Sequence, residues 1–139
     1  MRRLALIASL SLLGACASPL PAHDPGLAWV ELYTPPSDLL MADKLDGKRL
    51  DEGRYFQVAP GAHELISRFQ FEVPGGGGIN IMAEPIQRTC EIRVRYADFA
   101  AGQRYLLEAR PLVTSAQAWL YDDQRNVLAR GRVLRCGVF

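Results

Sequence analysis

Three cysteines, two histidines and two groups of carboxylates are the side chains of this 139-residue chain most suited to chemistry. A redox or metal site needs a second thiol or a histidine at ligand spacing, and Cys16, Cys90 and Cys136 form no C-x-x-C and have no such neighbour. His23 sits in a proline-rich stretch. His63 opens an apolar alternation on the parity of Leu65 and Phe69, where it caps a core edge, and no serine or cysteine nucleophile stands in a recognisable elbow to make it a base. Asp43, Asp46, Asp51 and Glu52, and later Asp122 and Asp123, lack the alternating acidic positions and closing glutamate of a calcium loop; they read as solvated turn residues. The sequence is compatible with a glycosidase carboxylate pair, but so small a domain offers little cleft for a sugar chain. The run Gly75, Gly76, Gly77, Gly78 follows Pro74 without the Lys-Ser or Lys-Thr of a phosphate cradle, and reads as a loop tip between two strands. No catalytic residue, metal or cofactor is expected.

Cys16 has a different chemistry open to it. Arg2 and Arg3 precede about twelve mostly apolar residues, a length that suits a signal-peptide core and falls short of the roughly 20 that span a bilayer. The stretch ends in Leu13-Gly14-Ala15-Cys16, which resembles the lipobox of bacterial lipoproteins. The resemblance implies a signal peptide over residues 1–15, cleavage before Cys16, a diacylglyceryl group on its thiol and an acylated new amino terminus. Ala17 and Ser18 follow with no aspartate beside the cysteine, which in enteric-type sorting implies the outer membrane. The alternative is a plain secretory signal with an incidental cysteine after it. Each buried acyl methylene contributes about 0.8 kcal/mol, so two or three chains hold a protein on a membrane lastingly. Charge interrupts every later apolar stretch, and the mature chain is expected to be tethered without spanning.

Acylation of Cys16 also settles the odd cysteine count. It leaves Cys90 and Cys136 as a pair in an oxidising compartment, where a structural disulfide is the expected outcome. The bridge would close a loop of about 47 residues, for roughly 4 kcal/mol in the chain-entropy treatment.

Charge narrows the partners. Without Arg2 and Arg3, fourteen basic side chains face fifteen acidic ones, which argues against nucleic acid or a polybasic lipid contact. Residues 16–26, with Pro19, Pro21 and Pro25, have the composition of a tether that would reach about 30 Å when extended. Residues 27–139 are then one domain with a single core.

The elements that must carry these residues are short strands. Cys90, Ile92, Val94 and Tyr96 alternate with Thr89, Glu91, Arg93 and Arg95; Leu65, Phe69, Phe71 and Val73 alternate with polar residues over Glu64 to Val73. Further strands are predicted at Ala28 to Tyr33, Leu39 to Leu45, Tyr55 to Val58, Arg104 to Arg110, Ala116 to Tyr121 and Val127 to Leu134. Asp46-Gly47 marks a two-residue hairpin, and Gly53, Pro60-Gly61, Gly102 and the Asp122 to Asn126 cluster mark further reversals. Gly131 interrupts the last strand as a bulge that would turn Cys136 toward Cys90. These spacings predict an all-β, antiparallel β-sandwich of transthyretin or immunoglobulin type.

Asp46-Gly47-Lys48 followed by Val58-Ala59-Pro60-Gly61-Ala62-His63-Glu64-Leu65 resembles the D-G-K … V-x-P-G-x-H-x-L segment of PEGA-like, carboxypeptidase-regulatory-like β-sandwich modules, similar segments of which occur in small Gram-negative lipoproteins. It covers about twenty residues of strand and turn, and the half from Gly75 onward does not follow the pattern. The resemblance implies an envelope domain without known catalysis.

One pattern points to binding. Trp29 and Tyr33 share a parity opposite to Val30 and Leu32, and Trp119 and Tyr121 a parity opposite to Ala118 and Leu120. If the aliphatic sets face the core, the aromatics form an outer contact surface; if the reverse, they are the core. The expected function is a non-enzymatic, membrane-anchored periplasmic lipoprotein that binds or assembles with another envelope protein. The alternative is an inhibitor or small-ligand-binding lipoprotein, for example of the lysozyme-inhibitor type, with the Gly75 to Glu84 loop as its inserted element.

Overall fold

Side chains that change character at every second residue favour strands, and residues 16, 18–75 and 84–139, which the computed structural model describes, contain ten strands and no helix. In chain order they are β1 (Ala28–Tyr33), β2 (Leu39–Leu45), β3 (Lys48–Arg49), β4 (Tyr55–Val58), β5 (Gly61–Val73), β6 (Ile86–Phe99), β7 (Arg104–Leu112), β8 (Ser115–Tyr121), β9 (Val127–Arg130) and β10 (Arg132–Gly137). The first sheet runs β4-β1-β7-β8-β9 and the second β10-β6-β5-β2-β3. They pack on each other as the β-sandwich that the sequence predicts.

Parity decides what lies between the sheets. Ala28 and Val30, Phe56 and Val58, Leu107 and Ala109, and Ala118 and Leu120 come from the first sheet; Leu65, Phe69, Phe71, Cys90, Ile92 and Val94 come from the second. Ser67, on the same parity, is buried with them. At one end Phe99 meets Tyr96 and Tyr105 edge to face, each 5.1 Å between centroids, and the Tyr105 hydroxyl accepts a hydrogen bond from the Ala100 amide at 2.9 Å.

Four features depart from the sequence expectation. β1 pairs with β7 in parallel, Trp29 opposite Arg104 through Tyr33 opposite Glu108, because the antiparallel pair β5–β6 returns the chain to the end at which β1 starts. The predicted final strand is two: β9 ends the first sheet, and one residue later β10 begins the edge of the second. Gly131 is therefore a corner between sheets, and the bulge falls later, between Val133 and Arg135. A Cβ at Gly131 would stand 2.9 Å from both Ala118 Cβ and Ile92 Cγ2, so the corner closes only around glycine. β5 and β6 are also longer than predicted, thirteen and fourteen residues, because their pairing continues from Gly61 to Val73 past the ends of the apolar alternation.

The fourth departure is the tether. Residues 18–26 are docked on the domain instead of standing off it. The Leu27 amide donates to the Asp24 carbonyl at 3.1 Å and the Gly26 amide to Asp24 Oδ1 at 2.8 Å, a turn that sends the preceding residues back over β1. His23 stacks on Trp29 at 3.8 Å, and Arg54 Nη1 donates to the Ser18 carbonyl at 2.7 Å. Glu52 holds Arg54 in place by accepting from Nε and Nη2, and that pairing drops the Glu52 carboxyl to about 2. Proline-rich composition disfavours ladder pairing, but it leaves a ring and a carbonyl free to be gripped.

Cys90 and Cys136 are bonded, across directly paired positions of β6 and β10. Reducing the bond is expected to cost about 4 kcal/mol and to lower the melting temperature by on the order of 10–20 °C. Melts followed by circular dichroism with and without reductant test this; superimposable curves would mean that the ladder alone holds β10.

Candidate functional site

Strand parity also builds an outer face on the first sheet. Tyr55, Trp29, Glu31, Tyr33, Leu106, Glu108, Trp119 and Tyr121 share it, because Trp29, Glu31 and Tyr33 lie opposite Arg104, Leu106 and Glu108, and these in turn lie opposite Tyr121 and Trp119. The aliphatic sets face the core: Ala28, Val30, Ala118 and Leu120 are all buried in it. The reading in which the aromatics form the core is excluded by this burial.

The candidate residues divide. Tyr33 is 47% exposed, and Trp119 and Tyr121 are half-buried on the same face. Trp29 corrects the expectation of an open contact residue. It lies on the outer face, yet only 3% of it is exposed, because its ring is sandwiched between His23 at 3.8 Å and Tyr55 at 4.0 Å. Gly75 lies two residues beyond the end of β5, in the other sheet and apart from the aromatics, and Gly76, Gly77 and Gly78 lie outside the described residues, as do residues 1–15.

At the middle of this face is a residue that sequence reasoning missed. Glu108, between Tyr33 and Trp119 in register, is 2% exposed although no second layer covers the sheet. Arg110 Nε donates to its Oε1 at 2.5 Å and Arg125 Nη2 to its Oε2 at 3.1 Å, and the Arg125 guanidinium also lies 4.9 Å over the Tyr121 ring. The two arms roof the carboxylate. Arg125 reaches it from a turn residue with φ 62°, between Asp122, whose carboxyl is lowered first by the Asn126 side chain and then by backbone amides, and Asn126 itself. The signal was present in the sequence: Glu108 alternates with apolar Leu107 and Ala109 inside a strand, where a lone acid needs partners.

A second site lies at the end where Phe99 packs. Asp46 and Gly47 adopt φ 49° and 80°, the paired positive values of a two-residue hairpin turn. The turn aims Asp46 at β5: its Oδ1 accepts from the Glu64 amide at 2.8 Å and its Oδ2 from His63 Nδ1 at 2.5 Å. These bonds, the backbone one first, hold the Asp46 carboxyl below its ordinary value of 3.8. His63 thus occupies the core-edge position predicted for it, with Nδ1 engaged and Nε2 buried without a hydrogen-bond partner near Phe99. Asp46, His63, Glu64, Arg95 and Tyr96 line a cleft of 420 Å³, in which Arg95 Nε donates to Glu64 at 2.7 Å and burial pushes the Tyr96 hydroxyl up. The cleft offers polar groups and an aromatic wall, a lining able to hold a small polar molecule. Among the described residues no three of His, Cys, Asp and Glu stand together as a metal site.

Two predictions follow from these charges. Removing both arginines by Arg110→Ala with Arg125→Ala takes away the roof together with the partners, so water reaches Glu108, and the loss in urea unfolding should be about 1–3 kcal/mol, the range for hydrogen bonds to a charged group. Glu108→Gln leaves only exposed arginines behind and should cost much less; equal losses would mean that the arginines act by packing. Asp46, with its folded-state pKa depressed, stabilises the fold above pH about 4, and that stability is lost as pH falls through the lowered value. Asp46→Asn should therefore flatten the acid limb of the melting temperature, and an unchanged limb below pH 4 would remove Asp46 from the account.

Comparison of the chain with protein-family models, with curated proteins and with solved structures finds no match in any of the three.

Proposed function

We propose that this chain is an acylated lipoprotein of the outer membrane, facing the periplasm, whose β-sandwich is a non-catalytic binding or assembly module for another envelope protein. In this reading residues 1–15 are the signal peptide, Cys16 carries the lipid, and residues 27–139 are the module. The observation that supports it best is the outer face of the first sheet, where Tyr33, Trp119 and Tyr121 surround a carboxylate already neutralised by two arginines. A partner that covers this face meets aromatic surface and two exposed guanidinium groups, with the carboxylate between them already paired, and aromatics with arginine at the margin are the composition of protein contact sites. Confinement to a membrane layer raises the effective concentration against neighbours, so modest contacts suffice. The near-neutral balance of the chain argues against nucleic acid. The cleft at His63 favours the second reading, a small-ligand-binding lipoprotein; the loop that an enzyme inhibitor would insert lies largely outside the described residues.

Photocrosslinking in cells from Tyr33 and Trp119, with Arg93 on the second sheet as the control position, tests the choice. One dominant protein adduct from the first two positions and none from Arg93 is expected. No adduct from either aromatic position would overturn the assembly reading in favour of the small-ligand one.

A further inference from the structure

The two ends of the sandwich differ in character. β1 and β7 are parallel, so Tyr33 and Leu112, their last residues, stand at the same end, with the Val113-Thr114 turn beyond them. Leu39 starts β2 there, Ile86 and Val73 close the β5–β6 pairing there, and β10 delivers Val138 and Phe139 alongside Thr89. Of the ten large hydrophobic side chains left exposed among the described residues, seven belong to this end: Tyr33, Leu39, Ile86, Leu112, Val113, Val138 and Phe139. The opposite end is made by Asp46-Gly47, Pro60-Gly61, Ala100 to Gly102 and Asp122 to Asn126, with Val127 the one exposed large hydrophobic among its described residues.

Val113 is the hardest of the seven to explain by folding. It is 85% exposed and its φ is 55°, a left-handed conformation that a β-branched residue adopts only under strain. Asparagine or glycine would relax the turn, and an apolar side chain pointing into water adds nothing to the domain. A cover from outside the domain would give that side chain apolar contact.

The docked tether identifies what covers it. The chain reverses at Asp24–Leu27, so going back from His23 to Ser18 it climbs β1 from Trp29 toward Tyr33: Ser18 is held by Arg54, which precedes Tyr55, the partner of Glu31. Cys16 is two residues before Ser18 in the chain and is exposed. Two residues span at most about 7 Å, so a lipid on Cys16 would leave the protein close to the point where Arg54 holds Ser18, on the side of the apolar end. Charges of both signs stand near this end, Arg88 and Arg110 against Asp38 and Glu72, so its attraction is apolar and not electrostatic.

We infer that this end is a membrane-docking surface: the phospholipid bilayer that receives the acyl chains of Cys16 also covers Leu112, Val113, Val138 and Phe139, which insert at the interface. The inference rests on the lipoprotein reading above. Its test uses the mature full-length protein in vesicles of phosphatidylethanolamine and phosphatidylglycerol with brominated acyl chains, which quench indole emission at short range. Leu112→Trp and Phe139→Trp, at the apolar end, should each be quenched severalfold more than Gln124→Trp at the opposite end, Trp29 and Trp119 being common to all three. Two separate positions guard against a local misfold of either. Intact mass of the same preparations reports acylation of Cys16. Equal quenching at both ends with Cys16 acylated would overturn the docking and leave the lipoprotein reading standing; an unmodified Cys16 would overturn both.

Discussion

Gly131 leaves no room for a side chain, and the shape of the domain follows from that. Its amide donates to the Ala118 carbonyl at 2.8 Å, in the first sheet, while Ile92 of the second sheet approaches from the other side. At this one residue the chain leaves the first sheet as β9 and enters the second as β10, so the two layers are joined along an edge as well as through their apolar faces. The disulfide acts at the other end of β10, fixing it to β6 at Cys90, and Arg135 bonds Glu91 at 2.6 Å beside it. The last strand carries little of the core itself; its work is to cover the edge of β6, whose unpaired backbone would otherwise be a template for further pairing.

The outer face of the first sheet shows how a sandwich can bury polar groups without a third layer. Glu108 is closed off by the side chains of Arg110 and Arg125, and Trp29 by rings from a loop and from β4. Neither is core by position, yet both are as buried as core residues. Aliphatic parts of arginine and the faces of aromatic rings serve as the missing layer. What remains open on that face is consequently selective: aromatic edges and guanidinium groups, with the carboxylate already spoken for.

Much of the fold could be read in the sequence because it depends on local pattern. The alternation around Cys90 and around Leu65, the Asp46-Gly47 turn and the Cys90–Cys136 pair are each encoded within a few residues or by elimination, and each is present. What escaped depends on partners far away in the chain. The parallel pairing of β1 with β7 joins residues 75 apart, and no pattern within either strand records it. The burial of Trp29 depends on His23, in a segment whose composition speaks only against regular pairing. For the site, parity correctly grouped the aromatics on one face but was silent on Glu108 and its two arginines, since Arg125 reaches it from a turn. The His63 position was legible as a core edge; its bond to Asp46 needed the hairpin and β5 to be seen side by side.

The grip of Arg54 on the Ser18 carbonyl bears on how such a domain would meet its surroundings. A slack leash lets a domain tumble and offer every surface in turn, whereas an attachment tied down within two residues of its anchoring point acts as a bracket and fixes attitude. Under the docking inferred above, the long axis of the strands would stand upright from the membrane. The aromatic face would then look sideways, toward molecules standing in the same layer, and the cleft between Asp46 and Tyr96 would look outward, toward whatever diffuses past. One short contact would thereby separate two audiences, lateral neighbours and mobile solutes, on a single small domain.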